Sequence, residues 1–152
     1  MKHLAFTCAL ALACTLAGCD RPKTPAAAPD SSAPAPAAPA LAFQKIDNVV
    51  GTGAEATDGA IITVHYTGWL YAPDAPGQRG ARFDSSVGRE PFVYNLGADL
   101  VIKGWNNGLK GMKVGGKRTL IIPASMGYGE KGSGTIPPNA DLIFDVELMD
   151  VQ

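Results

Sequence analysis

At 152 residues, 46% hydrophobic and 18% charged with a formal charge of −1, the chain has room for one domain with a real core but not for two large ones. A balance so close to neutral gives no electrostatic footprint for a nucleic-acid partner. All three cysteines stand at positions 8, 14 and 19, so no disulfide framework is open to whatever folds beyond them.

In chain order, Lys2 precedes an apolar run from Leu4 to Ala17. The run is too short for an ordinary spanning helix of about 20 residues and has the layout of a secretory signal. It ends in Leu16-Ala17-Gly18-Cys19, which resembles the lipobox of bacterial lipoproteins. That resemblance implies a signal over residues 1–18, cleavage before Cys19 and a diacylglycerol on its sulfur. Several acyl chains on one residue meet the requirement that stable anchoring takes more than a single lipid. Asp20 resembles the inner-membrane retention residue of enteric bacteria, a rule that transfers poorly, so the inner and outer membranes both stay open. The expected location is the cell envelope, with the folded part in the periplasm.

From Asp20 to Ala40, 14 of 21 residues are proline or alanine. With no large apolar side chain, this stretch cannot bury enough surface to fold. Residues 19–40 therefore read as a lipid-bearing tether that reaches roughly 65 Å if it is polyproline-like. Residues 41–152 read as the folded domain.

Most patterns in that domain are strand-like. Ile62, Val64 and Tyr66 alternate with Ile61, Thr63, His65 and Thr67, and Phe92, Tyr94 and Leu96 alternate with Val93 and Asn95. A strand is expected from Thr119 to Ile122, stopped by Pro123. Near the end, Leu142, Phe144, Val146 and Leu148 form one face and Asp145 and Glu147 the other, the mark of a sheet with one side on a core and one in water. Helical spacing occurs once, at Val101, Ile102, Trp105, Leu109 and Met112, with Asp99 available to cap the start and Gly111 to close the end. The simplest two-layer solution is α+β. The helix lies across the apolar face of an antiparallel sheet and Trp105 points into the space between them.

Several motifs fail. Gly127 to Gly132 has GxGxxG spacing, but Ser133-Gly134-Thr135-Ile136-Pro137-Pro138 cannot open a helix to receive a pyrophosphate. Gly111 to Lys117 fits the start of a phosphate loop, yet Arg118 stands where a Ser or Thr must hold magnesium, and a strand follows. Beyond the signal the one histidine is His65, expected on the face opposite Tyr66 and toward solvent. A nucleophile made from Ser85 or Ser86 with it is not expected. Lys103, Lys110, Lys113, Lys117 and Arg118 lack interleaved aromatics and read as a solvated basic face. Any catalysis here works without a metal, a cofactor or a conventional acid and base.

Seven motifs, in one order from Phe43 onward, carry a resemblance. They are Val64-His65-Tyr66-Thr67-Gly68, Phe83-Asp84-Ser85-Ser86, Pro91-Phe92, Val101-Ile102-Lys103-Gly104-Trp105, Tyr128-Gly129, Ile136-Pro137-Pro138 and Leu142 to Leu148. Together they are similar to the FKBP-type peptidyl-prolyl cis-trans isomerases. The resemblance implies a twisted antiparallel sheet of about five strands curled around one short helix, enclosing an apolar cup for a proline ring. It implies Trp105 as the floor, with Tyr66, Phe83, Phe92, Val101, Ile102 and Phe144 as walls. The Ile102 N–H and the Tyr128 hydroxyl would meet carbonyls, and Ile136 would lie in a loop overhanging the cup. Asp84 would accept the Tyr66 hydroxyl, and Tyr66, Asp84 and Tyr128 would form the catalytic set. The implied ligands are X-Pro polypeptides and macrolides such as rapamycin, and no cofactor is implied. Two departures stand out: a long connection from Tyr71 to Arg82, expected to be a surface loop, and a short Tyr128 to Ile136 segment without the family's histidine. The reading is a lipid-anchored isomerase that assists the folding of exported proteins. A proline-binding module without turnover, and a general folding helper, are the alternatives on the same fold.

Overall fold

The computed structural model describes residues 40–152. The expected signal, Cys19 and nearly all of the tether lie outside the described residues. The elements run β1 (Gln44–Val49), β2 (Ile61–Tyr71), β3 (Arg79–Ser85), β4 (Phe92–Asn95), α1 (Lys103–Leu109), β5 (Lys117–Ile122) and β6 (Leu142–Val151), with short 3₁₀ turns at Pro76–Gln78, Ala124–Met126 and Gly129–Lys131. All strand pairs are antiparallel, in the order β1-β5-β6-β2-β3. The long β2 pairs with β6 along most of its length. Its other edge is shared: Ile61 to Val64 pair with β4 and Thr67 to Tyr71 with β3. Six strands thus make a sheet five positions wide, as the family pattern implies.

Register decides which side chains meet the helix, because directly paired residues share a face. Tyr66 lies opposite Val146 and Val146 opposite Arg118, Gly68 opposite Phe144 and Phe144 opposite Leu120, and Leu70 opposite Leu142 and Leu142 opposite Ile122. This row, with Ile62, Val64 and Leu148, forms the apolar face under α1. The other face is not uniformly wet. Trp69 pairs with Ile143 and Ile143 with Ile121, and both isoleucines are buried. The Arg79 guanidinium stacks over the Trp69 ring at 5.3 Å and donates three hydrogen bonds to Asp145 from Nε and Nη2.

The segment expected as a surface loop, Tyr71 to Arg82, is mostly a hairpin. Tyr71 ends β2 and Arg79 already opens β3, with Ala72 N–H donating to Gln78 O at 3.0 Å. The helix is also shorter than its apolar spacing suggests. Val101 and Ile102 precede it, and Ile102 has φ −61° and ψ 148° with no side-chain cap, so Asp99 does not cap α1. Two glycines within seven residues give α1 little intrinsic propensity, and packing has to hold it. A Cβ on Gly104 would lie 2.5 Å from Ile122 Cγ2, and one on Gly108 2.6 Å from Leu120 Cδ1. These two positions have to be glycine for the helix to sit this close to β5. Gly111, at φ +77°, turns the chain away after the helix, as expected.

Of the basic residues read as a solvated face, Lys103, Lys110, Lys113 and Lys117 are exposed as expected, but Arg118 is not. Arg118 is only 8% exposed, because its register puts it on the helix side of the sheet. There its Nη1 donates to Gly108 O at 2.6 Å, filling a carbonyl left open at the end of α1, and its Nε donates to Asp47 Oδ1 at 2.6 Å. Lys110 pairs with Asp58 and Lys117 with Glu147.

Candidate active site

Trp105 follows Gly104, so the close approach of α1 to β5 sets the depth of the indole. It is 5% exposed and three rings meet it edge-on: Tyr66 at 5.0 Å and 79°, Phe144 at 5.4 Å and 83°, and Phe92 at 5.9 Å and 77° between centroids and planes. Edge-to-face packing of this kind favours the quadrupoles of all four rings. Phe83 adds a fifth ring against Phe144 at 5.5 Å and 83°. Gly68 makes room for that pair, since a Cβ there would lie 2.6 Å from Phe83 Cζ and 2.7 Å from Phe144 Cε1.

Above the indole lies a cavity of about 150 Å³. Nine of the ten side chains expected at the site line it: Tyr66, Phe83, Asp84, Phe92, Val101, Ile102, Trp105, Tyr128 and Phe144. Ile136 does not. It is 7% exposed and packs in the core cluster, and it exchanges backbone hydrogen bonds with Ser133, so its side chain holds the loop down rather than forming a wall. A second hollow of about 260 Å³ opens on the opposite face of the sheet, among His65, Thr67, Lys117 and Glu147. Its lining is mostly polar and charged, with no ring stack to receive an apolar group.

The polar edge of the cavity is tightly bonded. The Tyr66 hydroxyl donates to Asp84 Oδ2 at 2.5 Å. Asp84 Oδ1 accepts from Ser85 N–H at 2.8 Å and from Arg89 Nη2 at 2.7 Å. The Tyr66 bond, then Arg89 and the Ser85 amide, hold the Asp84 carboxyl below its ordinary value against the opposing effect of burial. Burial first, then the hydrogen bond to Asp84 and its charge, push the Tyr66 hydroxyl up to about 12. Burial likewise raises Tyr128, with the Asp84 charge adding to it. At neutral pH the pair is a neutral phenol and a carboxylate, with the proton committed between them. Among the described residues the Trp105 Nε1–H at the floor is buried with no hydrogen-bond partner, and the exposed Tyr128 hydroxyl and the Ile102 N–H make no hydrogen bond within the chain either.

His65 is on the outer face, as expected, but it is half-buried and not simply solvated. Its Nδ1 lies 3.1 Å from Ser86 Oγ. Ser86 Oγ also accepts the Tyr66 N–H at 2.9 Å and is buried. No acyl carbon can reach it, so the pair is a structural tie. Three residues at the site had no signal in the sequence. Leu100 lines the cavity, Arg89 holds Asp84, and Asn106 fixes the loop before α1 by accepting Gly97 N–H at 3.1 Å and donating to Ala98 O at 3.0 Å. Only spatial neighbourhood reveals these roles.

The family model for FKBP-type peptidyl-prolyl cis-trans isomerase matches residues 53–149. The chain belongs to this family. Its FKBP-type relatives include an FK506-binding protein of Neisseria meningitidis, serogroup A, 54% identical over 103 residues that cover 66% of this chain and 88% of that protein. FK506-binding protein 1B of Neurospora crassa is 47% identical over 113 residues, covering 74% of this chain and all of that one. Among solved structures, AtFKBP13 superposes with a TM-score of 0.62 at 38% identity, covering 72% of this chain and 93% of that one. FkpA from Escherichia coli gives 0.60 at 41% identity, but this chain spans only 47% of its length. The protein is an FKBP-type peptidyl-prolyl cis-trans isomerase, with the FKBP fold of these neighbours.

Proposed function

We propose that this isomerase acts on X-Pro bonds of exported polypeptides at the bacterial cell envelope, with the aromatic cavity as its catalytic surface and Cys19 as its membrane anchor. The observation that carries the catalytic half is the ring-walled cavity over Trp105, with two unpaired donors at its edge.

An X-Pro bond turns over tens of seconds unaided, against a barrier of about 18–20 kcal/mol that comes from amide resonance. No covalent bond is made or broken. At the half-turned geometry the amide loses conjugation and, with it, part of the charge separation between nitrogen and oxygen. A dry aromatic wall therefore favours the twisted amide over the planar one. An acceleration of about 10⁵ requires roughly 7 kcal/mol of such preference. The proline ring rests on the Trp105 indole between Tyr66, Phe92 and Phe144, while Phe83 and Val101 close the sides. Ile102 N–H and the Tyr128 hydroxyl bind carbonyls and hold the chain in register as the preceding carbonyl swings.

Asp84 acts as a positioning residue. Its carboxylate already accepts three hydrogen bonds and is poorly basic, and rotation requires no proton transfer. By fixing the Tyr66 ring it fixes one wall. The same cavity accounts for an affinity toward macrolides such as rapamycin, whose ring carbonyls would take the place of the peptide's.

The envelope half rests on Leu16-Ala17-Gly18-Cys19 and the Ala/Pro-rich tether to residue 40. Cys19→Ser is expected to release the protein from the membrane fraction, and a variant that still sediments with membranes removes the anchor. The catalytic half is tested by cis-trans relaxation of a short X-Pro peptide with and without rapamycin. The expected result is acceleration that the macrolide abolishes. Peptide binding without acceleration leaves a proline-binding module instead.

A further inference from the structure

We propose that Leu100 selects the residue that follows proline in the substrate, favouring a large apolar side chain there. The inference rests on the isomerase reading of the cavity given above.

Leu100 is 79% exposed, yet it lines the cavity beside Val101 and Ile102. A lone exposed leucine usually signifies nothing. Here its position is fixed from both sides. Asn106 pins the preceding turn through Gly97 N–H and Ala98 O, and Val101 and Ile102 pack against the core cluster. Leu100 is therefore an apolar shelf whose backbone is held at the mouth, so that only its side-chain rotamers remain to be ordered when a substrate side chain lies on it. Contact that exists only with an apolar neighbour of the proline turns the shelf into a specificity element.

The mechanism decides which neighbour it meets. The carbonyl that swings belongs to the residue before proline, so a donor fixed in the backbone serves best a carbonyl that stays still, the proline's own. Ile102 N–H, which donates to nothing among the described residues, is that donor. Leu100 stands two residues upstream of it on the same wall and so faces the chain leaving the proline.

The test uses short peptides with one constant residue before proline and Phe, Leu, Gly, Glu or Lys after it. For the wild type, kcat/KM for Phe exceeds that for Gly by about five-fold or more, the discrimination expected when part of one apolar side chain leaves water. Leu100→Ser brings this ratio close to one, and Leu100→Glu shifts the preference toward Lys. Circular dichroism of both variants should match the wild type, because the side chain is exposed. A Phe-to-Gly ratio unchanged by Leu100→Ser overturns the proposal while the isomerase reading stands. So does a variant whose preference changes only when the residue before proline is varied. If no peptide is turned over at all, the cavity reading falls first, and the shelf with it.

Discussion

Gly104→Ala tests whether the floor of the cavity is set by how closely α1 rides on β5. In an ordinary helix interior this change stabilises by about 1 kcal/mol. Here the new methyl would lie 2.5 Å from Ile122 Cγ2 and 2.7 Å from its Cδ1, against 3.4–4 Å for normal contact. Roughly 1 Å must be found, and Ile122 is fully buried and β-branched, with few rotamers to offer. The overpacking costs about 1–3 kcal/mol, so the net effect is a loss of up to about 2 kcal/mol after the helix gain. The displacement passes to Trp105, the next residue, and a shift of about 1 Å in a positioned group can cost on the order of 100-fold in rate. The expected result is a modest fall in the urea midpoint with kcat/KM on an X-Pro peptide down by about ten- to a hundred-fold. Asn107→Ala, on the exposed side of the same helix, is the control, with slightly higher stability and wild-type turnover. A Gly104→Ala protein as stable as the wild type and fully active would refute the reasoning, because the helix would then have room to spare.

Trp105→Leu should lower stability by about 2 kcal/mol and kcat/KM by at least about ten-fold; urea unfolding with normal turnover makes the indole plain core. Asp84→Ala should lower kcat and KM together while leaving measurable turnover, and steady-state kinetics showing complete loss with peptide binding intact would indicate direct chemistry by the carboxylate. Tyr94 has a buried hydroxyl with no partner among the described residues, so Tyr94→Phe should raise unfolding free energy by about 1 kcal/mol, and a comparable decrease would show that the hydroxyl is satisfied after all. In alkali the raised phenols act together. The fold keeps Tyr66 neutral up to about 12 while the unfolded chain ionises from its ordinary 10.0, so this contribution is whole below pH 10 and is lost as pH rises toward 12. Urea midpoints should fall across that window, less steeply in Tyr66→Phe, and equal slopes would remove Tyr66 from the account.

What the sequence made legible follows burial contrast. β2 and β6 stood out because one set of alternate residues is apolar and ends up under the helix. β1 carried no such contrast, since all six of its residues are exposed, and it is held by backbone pairing and by Arg118 and Thr119 reaching Asp47 and Asn48. β3, with two arginines and a glycine, looked like part of a loop for the same reason. Val101 and Ile102 fitted a helical stripe because an extended segment leading into a helix can pack on the same core. Arg118 looked like surface because charge is usually solvated, and only the register beneath the end of α1 gives it carbonyls to satisfy. The aromatic site was readable through family motifs spread over the chain, whereas Leu100, Arg89 and Asn106 act through neighbours that no local pattern specifies.

The Tyr66–Asp84 pair shows how polar groups can serve a reaction that an apolar site promotes. A free phenol on the wall would donate to the substrate's planar amide oxygen, which carries the larger negative charge, and so stabilise the ground state more than the twisted one. Tyr66 cannot do this while its proton is committed to Asp84. Ser85 and Arg89 in turn keep the carboxylate ionised and in place, so the phenol presents its ring to the cavity and its hydroxyl away from the reacting bond. Besides the buried Trp105 Nε1–H, the donors left unpaired among the described lining residues, the Tyr128 hydroxyl and the Ile102 N–H at the edge, suit carbonyls that must be held rather than turned. The wall thus stays apolar where conjugation is lost and polar only where the chain is gripped, the division that the proposed mechanism asks of a cavity of about 150 Å³.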